Sequence, residues 1–361
     1  MSKALQELTE SLPEPKSNKK EPTKLKLESK EDKFAALKNV EKLINKQFDT
    51  TNSLVRLGDR EIIPVPSIAT GLPTLDYILG TGLPIGRICE AYGAESGGKT
   101  TLALWLISEY QRQGHLCAFV DAEHSFDISW ASKLGVDTEN LFINQPDSGE
   151  EALTVVEEVI KTGTVGLIVI DSVSALVPQA ELDGEMGSAN IGLQARLMSQ
   201  AMRKLRGIAD ENKCTLLFIN QIREKVGVIY GSPEVTSGGR ALKFYASVRL
   251  DLRRKEAIKD GDIIIGHTIK IKCTKNKVST PFRETTIDLL YETGIDKFGN
   301  IVADAVAKGA IERSGAWYSL SGGDRLGQGI ENVKQALLDD PALLKNIQEK
   351  IKIGLDKPQT V

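Results

Sequence analysis

From about residue 61 to residue 296, short continuous apolar runs alternate with stretches whose apolar positions recur every three or four residues. The runs Arg87–Tyr92, Cys117–Glu123, Leu167–Asp171 and Thr215–Gln221 read as strands. Thr100–Gln113, Gly149–Lys161 and the segment from about Asn190 to Asn212 read as helices. Apolar strands without polar alternation, set between amphipathic helices, predict a mostly parallel sheet covered on both faces. After Tyr245 the pattern turns to strand after strand (Tyr245–Arg254, Thr268–Thr274, Glu284–Leu290), which predicts an antiparallel extension. Residues 297–361 read as a separate small domain of α+β class, mostly helical with a Gly-rich break at Ser321–Gly323.

The N-terminal pattern is different. Residues 1–33 are rich in Lys, Glu, Ser and Pro, a composition that buries too little apolar surface to order itself, and they read as a disordered tail. Residues 34–60 read as a helical arm: Phe34, Leu37, Val40, Leu43 and Ile44 share one face, and Phe48 follows. Either the arm folds onto its own chain or it packs on a neighbouring subunit.

Composition narrows the function classes. With 41% hydrophobic and 26% charged residues the chain is globular, and no apolar run is long enough to span a bilayer. The first residues lack the apolar core of a signal peptide and carry acidic groups, so the expected compartment is the cytoplasm. Cys89, Cys117, Cys214 and Cys273 are far apart and read as buried free thiols. His115 and His267 have no ligand spacing and read as structural or solvated. A net charge of −3 gives no global field for nucleic acid, so any such contact must come from local basic groups.

One segment carries specific chemistry. Gly93-Ala94-Glu95-Ser96-Gly97-Gly98-Lys99-Thr100 fits G-x-x-x-x-G-K-[ST] between a predicted strand and a predicted helix. Such a loop turns backbone N–H groups around phosphate oxygens at a helix N-terminus. Lys99 would neutralise the β- and γ-phosphates, the Thr100 hydroxyl would bind Mg²⁺, and Asp171, ending its apolar strand, would hold the Mg²⁺ shell. Glu123, read as ending the second strand, is a candidate to orient or deprotonate the attacking water; Asp121 and Asp127 compete for that role.

Several long stretches then occur in one order: GLPIGRICEAYGAESGGKTT, FVDAEHSFD, SQAMRKLRG, INQIREKVGV, TSGGRALKFYASVRLD and KNKVSTPF. Over about residues 35–350 the chain resembles the bacterial RecA recombinase family. The resemblance implies a RecA-like P-loop NTPase core and a DNA-dependent ATPase that uses ATP and Mg²⁺. It implies filaments on single-stranded DNA, pairing with a homologous duplex, and strand exchange in DNA repair. Stimulated self-cleavage of a LexA-like repressor in the SOS response is implied as well. Glu123 matches the family's catalytic glutamate, and Gln221 its γ-phosphate sensor. Lys275 and Lys277 match lysines that reach the neighbouring subunit's ATP. Gly93 to Thr101, with Asp127 and Trp130, match the nucleotide site.

DNA would meet two loops, about Asp183–Gly192 and Ile222–Arg240. Arg196, Arg203, Arg223, Lys225, Gly238, Gly239 and Arg240 are the implied backbone contacts, and Ile191 and Val228 the implied apolar wedges. Phe48 on the arm and Phe244 are implied at the subunit interface. The chain departs from the family pattern in five places, one of them an N-terminal tail longer than usual. Ala94 stands for the usual proline and Trp130 for the usual adenine-stacking tyrosine. The first loop reads GSANIG, and the acidic C-terminal tail common in relatives is missing, which predicts less autoinhibition. A ring helicase of the same fold would lack the INQIR and KNK context. A small-molecule kinase would lack DNA-stimulated hydrolysis. A filament without ATPase is argued against by Lys99, Thr100, Glu123 and Asp171.

Overall fold

The computed structural model describes residues 29–49, 53–59, 64–185, 192–224 and 234–356. The chain divides into two units, Met1–Pro64 and Val65–Val361.

In the first unit, helix α1 (Lys30–Gln47) starts four residues before the expected arm. Its start is set by a capping box: the Ser29 side chain accepts from the Asp32 N–H at 3.0 Å, and the Asp32 carboxylate accepts from the Ser29 N–H at 3.3 Å. Local capping thus orders residues that composition alone assigns to the tail. No residue of α1 is buried, and Phe34, Leu37, Val40, Leu43 and Phe48 are all exposed.

The second unit is built on one large sheet. In chain order its elements are β1 (Ser67–Ile68), α2 (Pro73–Leu79), β2 (Leu83–Pro84), β3 (Ile88–Gly93), α3 (Lys99–Arg112), β4 (Leu116–Asp121), α4 (Ile128–Lys133) and β5 (Leu141–Asn144). Then follow α5 (Gly149–Lys161), β6 (Val165–Asp171), α6 (Gln179–Leu182), α7 (Leu193–Glu211), β7 (Thr215–Glu224), β8 (Glu234–Thr236) and α8 (Ala241–Tyr245). The last stretch holds β9 (Val248–Asp260), β10 (Ile263–Asn276), β11 (Glu284–Leu290), β12 (Gly294–Ile295), α9 (Lys297–Ala307), β13 (Ile311–Ser314), β14 (Trp317–Leu320), β15 (Arg325–Gln328), α10 (Ile330–Asp339) and α11 (Pro341–Asp356).

Among the described residues the sheet runs β12-β11-β10-β9-β3-β7-β6-β4-β5. Pairing is parallel from β9 to β5 and antiparallel from β9 through β12. The reason the central strands read as unbroken apolar runs is visible in β7. Leu217 and Ile219 join the core beneath α2 and α3, while Leu216 and Phe218 join the core beneath α5 and α7. Both pleat faces are buried, so no polar alternation survives. All four cysteines are buried and free, and desolvation pushes each thiol's pKa up.

Two expectations need correction. Strand β4 ends at Asp121, so Glu123 lies in the turn beyond it. There the Ala122 and Glu123 N–H groups both donate to the Asp171 carbonyl, at 2.8 and 3.3 Å, and fold the turn over the end of β6. The strand expected from Tyr245 begins at Val248, because Ala241–Tyr245 closes a helical turn. The C-terminal segment has the expected α+β class, three helices beside a three-stranded antiparallel sheet, β13-β14-β15. Its strands are four residues each and mix charged, aromatic and glycine residues, too short for an alternation to register. Together with α9, α10 and α11 they enclose a separate core around Ile301, Val302, Tyr318, Val333 and Ile351.

Candidate active site and DNA-facing surface

The site forms where β3, β4, β6 and β7 end side by side, because parallel strands deliver their C-terminal residues to one edge of the sheet. Gly93 closes β3, and the loop returns through Ser96, at φ 54°, and Gly98, at φ 80°, into the N-terminus of α3. Gly98 is required twice over: its φ is left-handed, and a Cβ there would run into the Ile269 side chain.

Lys99 is buried and donates to the Ala94 carbonyl at 2.7 Å. Burial pulls its pKa down, with the nearby Asp171, Glu123 and Glu95 charges opposing. The Thr100 hydroxyl donates to Asp171 Oδ2 at 2.6 Å. Burial raises Asp171 to about 6, against the Thr100 hydrogen bond. These two oxygen groups suit a hard cation such as Mg²⁺, which takes a few protein oxygens and fills its shell from phosphates and water.

Three acids compete for the catalytic role on sequence, and the structure separates their work. Asp121 accepts from the Ser125 and Phe126 N–H groups, each at 3.0 Å, and from Gln145 Nε2 at 2.9 Å, so it holds the turn. Asp127 caps α4 through the Trp130 N–H at 3.0 Å. Glu123 is exposed and takes hydrogen bonds from Ser172 Oγ and, at 2.9 Å, from Gln221 Nε2. Gln221, near the end of β7, therefore meets Glu123 across the site.

Beside the loop lies a cavity of about 550 Å³ lined by Ser96 to Thr101, Trp130, Arg254, His267, Leu289 and Tyr291. The last four escaped the sequence reading, since no motif marks them; they arrive from β9–β11 and the turn after β11. A second missed group lies beneath the site. Glu90 on β3 is fully buried and pairs with Arg249 on β9. It also accepts from Asn220 Nδ2 at 3.0 Å. Asn220 in turn donates to the Ser237 carbonyl at 3.1 Å and accepts from the Gln221 N–H at 2.9 Å. A charged and an amide residue inside otherwise apolar strands were the available signal.

Two family models match: the RecA N-terminal domain over residues 35–296 and the RecA C-terminal domain over residues 299–356. The chain is 52% identical over 324 residues to Protein RecA of Chloroherpeton thalassium, covering 90% of each chain. It is 51% identical over 322 residues to Protein RecA of Clostridium botulinum, covering 89% of this chain and 90% of the relative. With Protein RecA of Chlorobium limicola the identity is 53% over 311 residues, covering 86% and 88%. The chain belongs to the RecA family. Membership puts it among DNA recombination and repair proteins that bind nucleotide and DNA.

The remaining residues implied by the RecA resemblance are spread more widely. Arg196, Arg203, Arg223 and Arg240 are exposed; Arg223 Nε donates to Ser237 Oγ at 3.0 Å. Gly238 and Gly239 both take φ 77°, and a Cβ on either would strike Val173 or Ala195. That packing requires glycine before any ligand is considered. Gln194 fixes the same corner: its amide donates to the Val173 and Leu176 carbonyls at 2.8 and 3.2 Å and accepts from the Gly238 N–H at 3.1 Å. Ile191, Lys225 and Val228 lie outside the described residues.

Lys275 and Lys277 turn toward α8. Lys275 Nζ donates to the Lys243 and Phe244 carbonyls at 2.6 and 2.9 Å, and Lys277 Nζ to the Phe244 carbonyl at 3.2 Å. Burial, with the Lys277 and Arg249 charges, brings Lys275 down to about 8. Phe244, beside them, is 64% exposed, as is Phe48 just after α1. Among the described residues no helix is long and apolar enough to cross a membrane.

Proposed function

We propose that this chain is an ATP-dependent homologous recombinase: it assembles on single-stranded DNA, pairs it with a homologous duplex and drives strand exchange while hydrolysing ATP. The observation that supports this most is the meeting of Lys99, Thr100, Asp171, Glu123 and Gln221 at one sheet edge. Each carries a group that phosphoryl transfer needs.

The phosphates of ATP would lie on the N–H groups of residues 94–100, at the positive end of α3. Lys99 would exchange its bond to the Ala94 carbonyl for the β- and γ-oxygens. Thr100 and Asp171 would hold Mg²⁺, which supplies charge neutralisation there. Glu123 would accept a proton from the attacking water; an O–P bond forms to the γ-phosphorus, the bond to the ADP oxygen breaks, and inorganic phosphate leaves. Gln221 can serve either Glu123 or a γ-phosphate oxygen. Its position on β7, tied through Asn220 to Ser237, would pass that choice to the segment 222–240. Lys275 and Lys277, spent on α8 within the protomer, would act on a neighbour's ATP. Exposed α1 and Phe244 would serve as filament contacts. Arg196, Arg203, Arg223 and Arg240 would meet phosphates of DNA, leaving sequence to be read by base pairing. A cytoplasmic location and stimulation of a LexA-like repressor's self-cleavage follow as further parts of this reading.

The test is ATP hydrolysis with and without single-stranded DNA, followed by electron microscopy. The expected result is hydrolysis that depends on DNA and helical filaments that depend on ATP. Glu123→Gln should lower hydrolysis by about 10²–10⁴-fold while filaments persist. Hydrolysis indifferent to DNA, with no fibres, would overturn the proposal.

A further inference from the structure

Glu90 is the one acid of β3, and it is wholly buried in an otherwise apolar stretch of the sheet. Its carboxylate pairs with Arg249 of β9, itself buried. Taking both charges out of water is costly, and apolar side chains of similar volume are often no less stabilising. Stability alone does not account for the pair.

Strand register shows what lies beyond the arginine. Glu90 is beside Arg249 in the parallel β3–β9 ladder, and Arg249 is opposite Lys275 in the antiparallel β9–β10 ladder. The second pairing depends on an irregularity: the β9–β10 register shifts by one residue between Cys273 and Lys275. Cys273, opposite Leu250, belongs to the core beneath α2 and α3. In a regular strand Lys275, two residues on, would share that face. The shift turns it to the other face, under α8, where its Nζ donates to the Lys243 and Phe244 carbonyls. Irregularities of this kind re-aim side chains beside active sites. Glu90, Arg249 and Lys275 therefore form a row of charges across three strands, one negative and two positive. The Tyr92 ring, 4.4 Å from the Arg249 guanidinium, holds the middle of the row.

We propose that Glu90 is a positioning residue for the neighbour-facing lysine: its carboxylate cancels the Arg249 charge, so that Lys275 meets the next protomer's triphosphate as a cation. This inference rests on Lys275 acting across the boundary, as proposed above. Lys277 on the same strand end and Arg249 on β9 oppose the Lys275 proton, and Glu90 on β3 favours it. From α8 come the two carbonyls and the exposed Lys243 side chain. Burial together with the two cations already brings Lys275 down to about 8. Its proton is therefore lost close to working pH, and removing a countercharge moves that loss to lower pH. Removing Arg249 moves it the other way.

The experiment reads ATP hydrolysis on single-stranded DNA by the full chain at several pH values, as the ratio of variant to wild type. For Glu90→Gln the ratio should fall about tenfold between about pH 6.5 and 8.5. For Arg249→Gln it should rise about threefold over the same range. The double variant Glu90→Gln/Arg249→Gln removes both charges, and its ratio should stay within about twofold across the range. A merely structural role lowers hydrolysis by the same factor at every pH. Either single variant carries the test if the other does not fold. A ratio that is flat with pH in the single variants would overturn the role for Glu90. Wild-type protein with no DNA-dependent hydrolysis would overturn the proposed junction itself, and this inference with it.

Discussion

The proposed nucleotide end and the proposed DNA-facing end of the second unit are built on opposite principles. At the nucleotide end, Lys99 at the start of α3 and Asp171 at the end of β6 are buried, and each is partnered within the site, Lys99 by the Ala94 carbonyl and Asp171 by the Thr100 hydroxyl. At the other end Arg196, Arg203 and Arg240 stand exposed on α7 and at the start of α8, and Gly238 and Gly239 are fixed by packing on Val173 and Ala195. The contrast follows from the ligands proposed. A triphosphate has one shape, and its charges are stabilised best by dipoles already aimed and desolvated. A polynucleotide of arbitrary sequence offers a repeating charge, and exposed cations meet it by releasing counterions. Gln221 and Asn220 border both ends, Gln221 through Glu123 and Asn220 through the Ser237 carbonyl, and in the proposed reading they would couple the two.

The largest expected effect tests whether the nucleotide end is complete in one protomer. Lys99→Ala and Lys275→Ala should each lower hydrolysis by about 10³-fold or more, and Lys99→Ala should abolish ATP-dependent filaments. Lys275→Ala should keep nucleotide binding by the free protomer, since Lys275 bonds to α8. The decisive step is to mix Lys275→Ala with Glu123→Gln, whose filaments are expected to persist. If the lysine acts across a head-to-tail boundary, a random equimolar filament has about a quarter of its junctions intact. Activity should then recover to about that fraction. No recovery on mixing would place Lys275 and Glu123 in one protomer's chemistry and break the comparison.

A smaller effect addresses the DNA-facing end. Removing Arg196 and Arg203 together should leave nucleotide binding unchanged. The slope of log affinity against log salt for single-stranded DNA should flatten by about 1.4, which is 0.7 for each lost phosphate contact. An unchanged slope would return both arginines to the solvated face of α7.

How much of this was legible in the sequence follows from where each signal is stored. The loop 93–100 is contiguous, so its chemistry is written in eight adjacent residues. The parallel sheet was legible because burying both faces erases alternation, as in β7. Glu123 was harder: apart from the family resemblance, Asp121, Glu123 and Asp127 are equivalent as letters, and the turn hydrogen bonds of Asp121 and the capping bond of Asp127 set Glu123 apart physically. The far wall of the cavity was illegible, because Arg254, His267, Leu289 and Tyr291 come to the loop through strand register across β9–β11. The start of α1 was misplaced because composition averages over the Ser29–Asp32 cap.

The smallest effect concerns the scaffold behind the nucleotide end, where burial acts on an acid rather than a lysine. Asp76 on α2 is 7% exposed and accepts from the Thr70 N–H at 2.7 Å, and the Thr70 carbonyl accepts from Trp105 Nε1 on α3 at 2.9 Å. Burial raises Asp76 from 3.8 to about 6, against the Thr70 hydrogen bond and the Lys352 charge. Between those two values the folded state holds a proton that the unfolded state has released. Stability from this group is therefore full below pH 4 and is lost as pH climbs through about 6. Asp76→Asn keeps an oxygen for the Thr70 N–H and removes the titration. Relative to wild type it should gain on the order of 1–3 kcal/mol at pH 7.5, and the gain should fade by pH 4. Melting curves of both proteins across that range measure the difference directly. A gain that is the same at every pH would mean that Asp76 is no more costly in its charged form than in its neutral one. The desolvation argument that also lowers Lys99 would then fail for this half of the sheet.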